Sequence, residues 1–132
     1  MFSATFRYAL ISLLEIAGSE DGVNTALIAQ RHNIPGTYLA NVLRDLRRLG
    51  MIVSQKGRRG GYLLAKPPEQ IDLLAMHRGL AGSNDPAGSK LQAPSGAEVW
   101  LQAIENRWRQ ELANTSLRDV KHYVEQSQPR LD

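Results

Sequence analysis

A mainly α fold with a small β-hairpin is predicted by three observations. Two short amphipathic segments, Asn24 to Arg31 and Thr37 to Arg48, are separated only by the break His32-Asn33-Ile34-Pro35-Gly36. Two short strand-like runs flanking Gly57-Arg58-Arg59-Gly60-Gly61 follow at once, and a long helix carrying both tryptophans comes later. A tightly broken helix pair followed directly by a hairpin is the pattern of a winged helix-turn-helix, here joined to a long C-terminal helix. The chain divides on this reading into a winged helix-turn-helix domain at 1–78, a linker or loop at 79–96 and a helical dimerisation region at 97–132.

Each element has its own signal. Phe6, Leu10, Leu13, Leu14 and Ala17 form one stripe at helical spacing over residues 3–17, with Ser3 as the N-cap and Gly18 as the stop. Asn24 caps a two-turn helix that buries Leu27 and Ile28. The third helix, Thr37 to Arg48, turns Leu39, Val42, Leu43 and Leu46 inward and ends at Leu49-Gly50. Residues 51–55 and 62–65 read as strands joined by a glycine-rich turn. Pro67-Pro68 ends the second strand, and a helix is expected from Glu69 to Arg78. Residues 79–96 are rich in Gly, Ser, Ala and Pro with little to bury. In the helix from Ala97 to Ala113, Trp100, Ile104, Trp108 and Leu112 recur at i+4 steps with Leu101 beside them; Thr115 or Ser116 caps a last short helix through Val124.

Charge is distributed unevenly. Residues 1–66 hold nine Lys/Arg against four Asp/Glu, a net of +5, whereas residues 67–132 hold seven against nine, a net of −2. Residues 44–66 alone carry seven cations against Asp45, a net of +6. Such clustering is the footprint of a polyanionic partner. No apolar run approaches the roughly 18–20 residues of a membrane span and the N-terminus lacks a signal-peptide layout, so a cytoplasmic protein that does not engage membranes is expected. Cysteine is absent, which excludes disulfides, thiolate metal sites and cysteine nucleophiles.

In a helix-turn-helix the N-terminal part of the second helix of the motif enters the major groove of double-stranded DNA. The exposed candidates are Thr37, Tyr38, Ala40, Asn41 and Arg44. Asn41 suits adenine, Arg44 suits guanine or a phosphate, and Thr37 or Tyr38 can donate to phosphate near the helix start. Packing between helices is the alternative for Tyr38, and simple solvation the alternative for Asn41. Arg47 and Arg48 lie further along, toward the DNA backbone, and Arg58 and Arg59 crown the hairpin. Arg7 either pins the first helix to a phosphate or forms an internal salt bridge.

Four stretches carry a resemblance to the Rrf2 family of bacterial transcription regulators: Arg7-Tyr8-Ala9-Leu10; Tyr38-Leu39 with the run from Leu43 to Gly50; Gly57 to Leu64; and the helix around Trp100. The resemblance implies a homodimer acting on an inverted repeat, with repression the expected outcome. It places Lys56 at a minor-groove contact with Arg58 and Arg59 beside it, and makes the helix bearing Trp100, Leu101, Ile104, Trp108 and Leu112 the dimer interface. Two tryptophans on one stripe of a tethered helix agree with a partner surface; covering their own winged helix is the alternative. Many members of this family hold an iron-sulfur cluster on three cysteines before this helix. Here the equivalent positions are Gly82, Gly88 and Pro94, with Ala97 at a fourth, and none of these side chains ligates iron. No cofactor is therefore expected. A small-molecule effector or a partner protein at the linker remains open.

Two rival classes have less support. For an enzyme, none of His32, His77 and His122 has a carboxylate or serine at a spacing that makes a catalytic set, since Asp72/His77 and Asp119/His122 read as solvated helix faces. A winged helix serving only as a protein-interaction module has no need of six net positive charges over its third helix and wing.

Overall fold

The computed structural model describes residues 2–56, 60–81 and 96–127. Among them the order is α1 (Ala4–Ala17), α2 (Thr25–His32), α3 (Gly36–Arg48), β1 (Ile52–Gln55), β2 (Gly61–Leu64), a single 3-10 turn (Pro68–Gln70), α4 (Leu73–Ala81), α5 (Gly96–Ala113) and α6 (Leu117–Ser127).

The helix ends follow local chemistry. Ser3 Oγ accepts from the Phe6 amide at 3.1 Å and Asn24 Oδ1 from the Leu27 amide at 2.8 Å, which caps α1 and α2 as their sequences predict. Asn33 takes a left-handed conformation with φ 54°, and the Ile34 amide reaches back to the Ala29 carbonyl at 3.0 Å, closing α2. At the other end of the motif α3 stops in a Schellman arrangement: Gly50 has φ 77°, its amide bonds the Arg47 carbonyl, and the Met51 amide bonds the Leu46 carbonyl, both at 3.0 Å.

Several boundaries differ from expectation by a residue or more, the last helix running to Ser127 rather than Val124, and three of the shifts have a tertiary or capping reason. The strands run one residue earlier at their second member, because Gly61 pairs with Gln55 and β2 docks on the α1–α2 loop. Tyr62 donates to the Val23 carbonyl at 2.9 Å and Val23 to the Tyr62 carbonyl at 3.2 Å, so the hairpin gains a third short partner. The helix expected at Glu69–Arg78 divides at Ile71, which is extended; Asp72 Oδ1 then accepts from the amides of Leu74 and Ala75 and starts α4 afresh. That helix takes Gly79 to Ala81 from the expected linker, and residues 82–95 of the linker lie outside the described residues.

One core joins all these elements. Phe6, Ala9, Leu13 and Ile16 of α1 lie against Ile28, Leu39, Val42, Leu43 and Leu46 of the helix-turn-helix, Met51 and Ile52 at the start of the hairpin, and Ile71, Leu73 and Met76 around α4. Leu117 of α6 is fully buried in this same cluster. Asp72 pairs with Ser116 in an isolated bridge, and a capping box of Ser116 and Asp119 aims α6 inward. α6 thus contributes to the core of the N-terminal unit, because Leu117 finds its burial there. Asp119 serves the cap, and His122 bonds Gln126, so neither forms a pair with the other.

Close approach of backbones makes Gly61 a sensitive position. A Cβ there would stand 2.6 Å from the carbonyl carbon and oxygen of Val23 and 3.0 Å from the Asn24 nitrogen. Gly61→Ala is expected to destabilise the fold by about 1–3 kcal/mol in urea unfolding. Gly36→Ala, where nothing lies within 4 Å of the added atom, is expected to leave stability unchanged or raise it.

Candidate nucleic-acid interface

The inner face of α3 is buried through Leu39, Val42, Leu43 and Leu46, so its remaining residues are displayed. Thr37, Tyr38, Ala40, Asn41, Arg44, Arg47 and Arg48 are all exposed. Positions 37, 40, 41, 44, 47 and 48 follow i+3 and i+4 steps, so they line one side of a 13-residue helix. Pro35 caps this helix without a side-chain hydrogen bond, leaving the first-turn amides unsatisfied by any cap. Arg48 lies 3.8 Å from Asp45, an exposed and loose pair; Arg44 and Arg47 form no ion pair among the described residues.

Lys56 is exposed at the end of β1, which sets it at the base of the wing. Arg58 and Arg59 lie outside the described residues. Arg7 is exposed on α1 and forms no salt bridge among the described residues.

Tyr38 packs against α1, the alternative weighed for it, and stays partly exposed. Its side chain is 38% exposed, yet its hydroxyl shares a hydrogen bond with Thr5 Oγ1 at 2.5 Å and its ring meets Tyr8 edge-on at a centroid distance of 5.5 Å. The hydroxyl is thus engaged by α1, and the ring presents carbon to solvent. Tyr8, Thr5 and Ala4 were not singled out as site residues by sequence. A contact over 33 positions leaves no periodic trace, and the adjacency Arg7-Tyr8 was the only available signal.

The angle of α2 against α1 is held by Glu15. Its carboxylate takes Arg31 Nη1 at 2.9 Å and His32 Nε2 at 2.8 Å, both in the last turn of α2, where cations also favour the helix dipole. Burial pushes the Glu15 carboxyl up, but the hydrogen bonds from His32 and Arg31 and the charges behind them outweigh it and hold the group below its ordinary 4.5. His32, expected in the turn, belongs to this clamp.

The interface expected on α5 divides along its length. The Trp108 ring packs on His77 at 4.7 Å and on Phe2 at 5.5 Å, and Phe2 stacks on Phe6 at 4.9 Å; Leu112 packs against the core. Trp108 and Leu112 therefore cover their own winged helix. Trp100 is 63% exposed and Val99 54%, and Ile104 lies between the two regimes, half-buried. The side chain of Leu101 lies outside the described residues. His77 belongs to this aromatic cluster and Asp72 to a helix cap, so they do not form a catalytic pair. No group of three or more His, Cys, Asp and Glu among the described residues is placed to hold a metal ion, and no described helix is long and apolar enough to cross a membrane.

A helix-turn-helix whose second helix displays polar and basic side chains, followed directly by an antiparallel hairpin with Lys56 exposed at its base, defines a winged helix-turn-helix protein. The family model for Rrf2, described as an iron-dependent transcriptional regulator, matches residues 2–123, and the chain belongs to that family. The HTH-type transcriptional regulator CymR of Bacillus subtilis is 30% identical over 125 residues, covering 92% of this chain and 90% of that protein. Its solved structure, that of the global cysteine regulator of B. subtilis, superposes with a TM-score of 0.78 over 93% of this chain and 97% of that one, at 30% identity. IscR of T. potens gives a TM-score of 0.79 at 25% identity, covering 100% of this chain and 93% of the other. The chain is accordingly an HTH-type transcriptional regulator.

The family description raises iron. A thiolate-held iron-sulfur cluster does not fit these residues: the sequence contains no cysteine, and Ala97 in the first turn of α5 offers only a methyl group. Gly82, Gly88 and Pro94 lie outside the described residues.

Loss of the clamp has a definite pH signature. A carboxyl depressed in the folded state stabilises the fold above its unfolded pKa, and the contribution disappears as pH falls through the folded pKa. Glu15→Gln is expected to lower stability at pH 7 by about 0.5–1 kcal/mol. The difference from wild type should shrink as pH drops below 4.5, as followed by thermal melts between pH 7 and pH 3.

Proposed function

We propose that this chain is a homodimeric repressor that binds double-stranded DNA at an inverted repeat, with α3 in the major groove and the wing at the adjacent minor groove. The observation that carries the reading is the exposed side of α3, where Asn41 stands beside Arg44 and Arg47, which form no ion pair among the described residues, at the start of a segment of net charge +6 over residues 44–66. On this reading Asn41 pairs with adenine, Arg44 reads guanine or holds a phosphate, and Thr37 with the open amides of the first turn of α3 receives a phosphate. Arg47, Arg48 and Arg7 engage the backbone, and Lys56, Arg58 and Arg59 follow the minor groove. Two recognition helices held about 34 Å apart, one turn of B-DNA, match successive half-sites, and a dimer seated there occludes a promoter.

The exposed Trp100 with Val99 supports the N-terminal half of α5 as the centre of the dimer contact, with Leu101 and Ile104 beside it. Trp108 and Leu112 stiffen the base from which that half projects. The chain acts in the cytoplasm as a binding protein without catalysis or a cysteine-ligated cluster, and its signal enters as a small molecule or partner protein near residues 79–96. A role confined to binding proteins does not account for the basic face of α3.

An Arg58→Ala/Arg59→Ala variant is expected to bind its operator more weakly at all sequences, with the slope of log affinity against log salt falling by about 2, close to one unit for each lost phosphate contact. An unchanged slope overturns the assignment of the wing. Trp100→Glu is expected to sediment as a folded monomer with weak operator binding; a dimer at the wild-type association constant would count against this interface.

A further inference from the structure

We propose that the open slot between the N-terminal turns of α1 and α3 is a subsite for the 5-methyl groups of thymine, so that the protein selects its operator partly by apolar contact. This inference rests on the DNA-binding reading and adds a recognition element to it.

The slot has a volume of about 570 Å³ and is lined by Ala4 and Tyr8 of α1 and by Pro35, Thr37, Tyr38 and Asn41 at the start of α3. Its walls are the Ala4 methyl, the Pro35 ring and two tyrosine rings. The Tyr38 hydroxyl is tied to Thr5 Oγ1, and the two rings brace each other edge to face at 5.5 Å. The aromatic surface is therefore set before any ligand arrives, and little side-chain freedom remains to be lost on binding. Tyr38 nonetheless remains 38% exposed, a large apolar surface at the tip of the helix that would enter the groove.

Thymine supplies what this surface fits. In the major groove the four base pairs differ in donors and acceptors, and the thymine C5 methyl is the one apolar feature, met in general by small methyl-bearing or aromatic side chains. Asn41 lines the same slot. Its amide is suited to adenine N6 and N7, which leaves the thymine of a paired or neighbouring step facing the ring wall. Ala40, exposed beside Asn41, continues the methyl surface along α3. The slot exceeds one methyl group in size and accommodates the C5 edges of two stacked thymines. The four carbon walls offer no hydrogen bond to a phosphate, which Thr37 and the open first-turn amides of α3 receive instead.

The test removes methyl groups from the DNA and nothing else. The operator is first selected by the wild-type protein from a random duplex pool, and each thymine of one half-site is then replaced singly by deoxyuridine. Titration by fluorescence anisotropy is expected to give a loss of about fourfold for each methyl taken from the slot, the worth of one CH2 group returned to water. That loss should fall at one thymine or two adjacent ones, with no change elsewhere. Tyr38→Ala, checked for folding by its thermal melt, is expected to bind the thymine and uracil duplexes equally. Ala4→Leu, an exposed position that fills the slot from α1, provides the same comparison if Tyr38→Ala does not fold. Indifference of the wild type to every replacement overturns the subsite while leaving DNA binding intact, as does discrimination that persists in the folded variants. Failure to select any sequence overturns both the subsite and the reading on which it rests.

Discussion

Ala9 and Leu13 are fully buried on the face of α1 against which α3, β2, α4 and α6 all pack. A methyl at position 9 lets neighbouring elements approach closely, while Leu13 and Ile16 fill the space further along the helix. Because α3 and the hairpin share this wall, the displayed side of α3 and the β1–β2 hairpin are set relative to each other by apolar packing. The exposed side chains of α3 themselves contribute little to that geometry, since the buried ones make its packing. The polar anchors on α1 add direction: Glu15 holds the end of α2, and Thr5 with Tyr8 holds the start of α3.

The other end of α1 is tied differently. Phe2, Phe6, His77 and Trp108 form one aromatic cluster that joins the start of α1, α4 and the middle of α5. Edge-on contacts between aromatic rings add about 0.5–1.5 kcal/mol per pair beyond the area they bury. The cluster thus joins the long C-terminal helix to the same helix that carries Tyr8. Through α1, α5 and the first turn of α3 are thus connected by contacts at Phe6 and at Tyr8.

Much of this organisation was legible in advance because it depends on neighbours in sequence. Capping by Ser3 and Asn24, the glycine closure after Leu49 and the inward stripe of α3 each involve residues within about one or two turns, and each stands where its sequence predicts. The exposed candidates Thr37, Ala40, Asn41 and Arg44 follow from the same periodicity. Contacts between distant residues left no such mark. The docking of Tyr62 on Val23 moved β2 to begin at Gly61, the pairing of Asp72 with Ser116 brought Leu117 into the core, and the i+4 stripe of α5 gave no sign that Trp108 and Trp100 have different surroundings.

The sequence by itself determined the order and type of the elements, the concentration of positive charge on the third helix and wing, and the absence of thiolate ligands, since periodicity, composition and residue identity are properties of the chain before it folds. Only the tertiary structure decided that α6 belongs to the core, that Trp108 is consumed by its own domain while Trp100 stands out, and that Tyr8 and Tyr38 enclose an apolar slot at the tip of α3. Those outcomes depend on which surfaces meet across tens of residues, and burial at such distances is settled by packing the whole core at once.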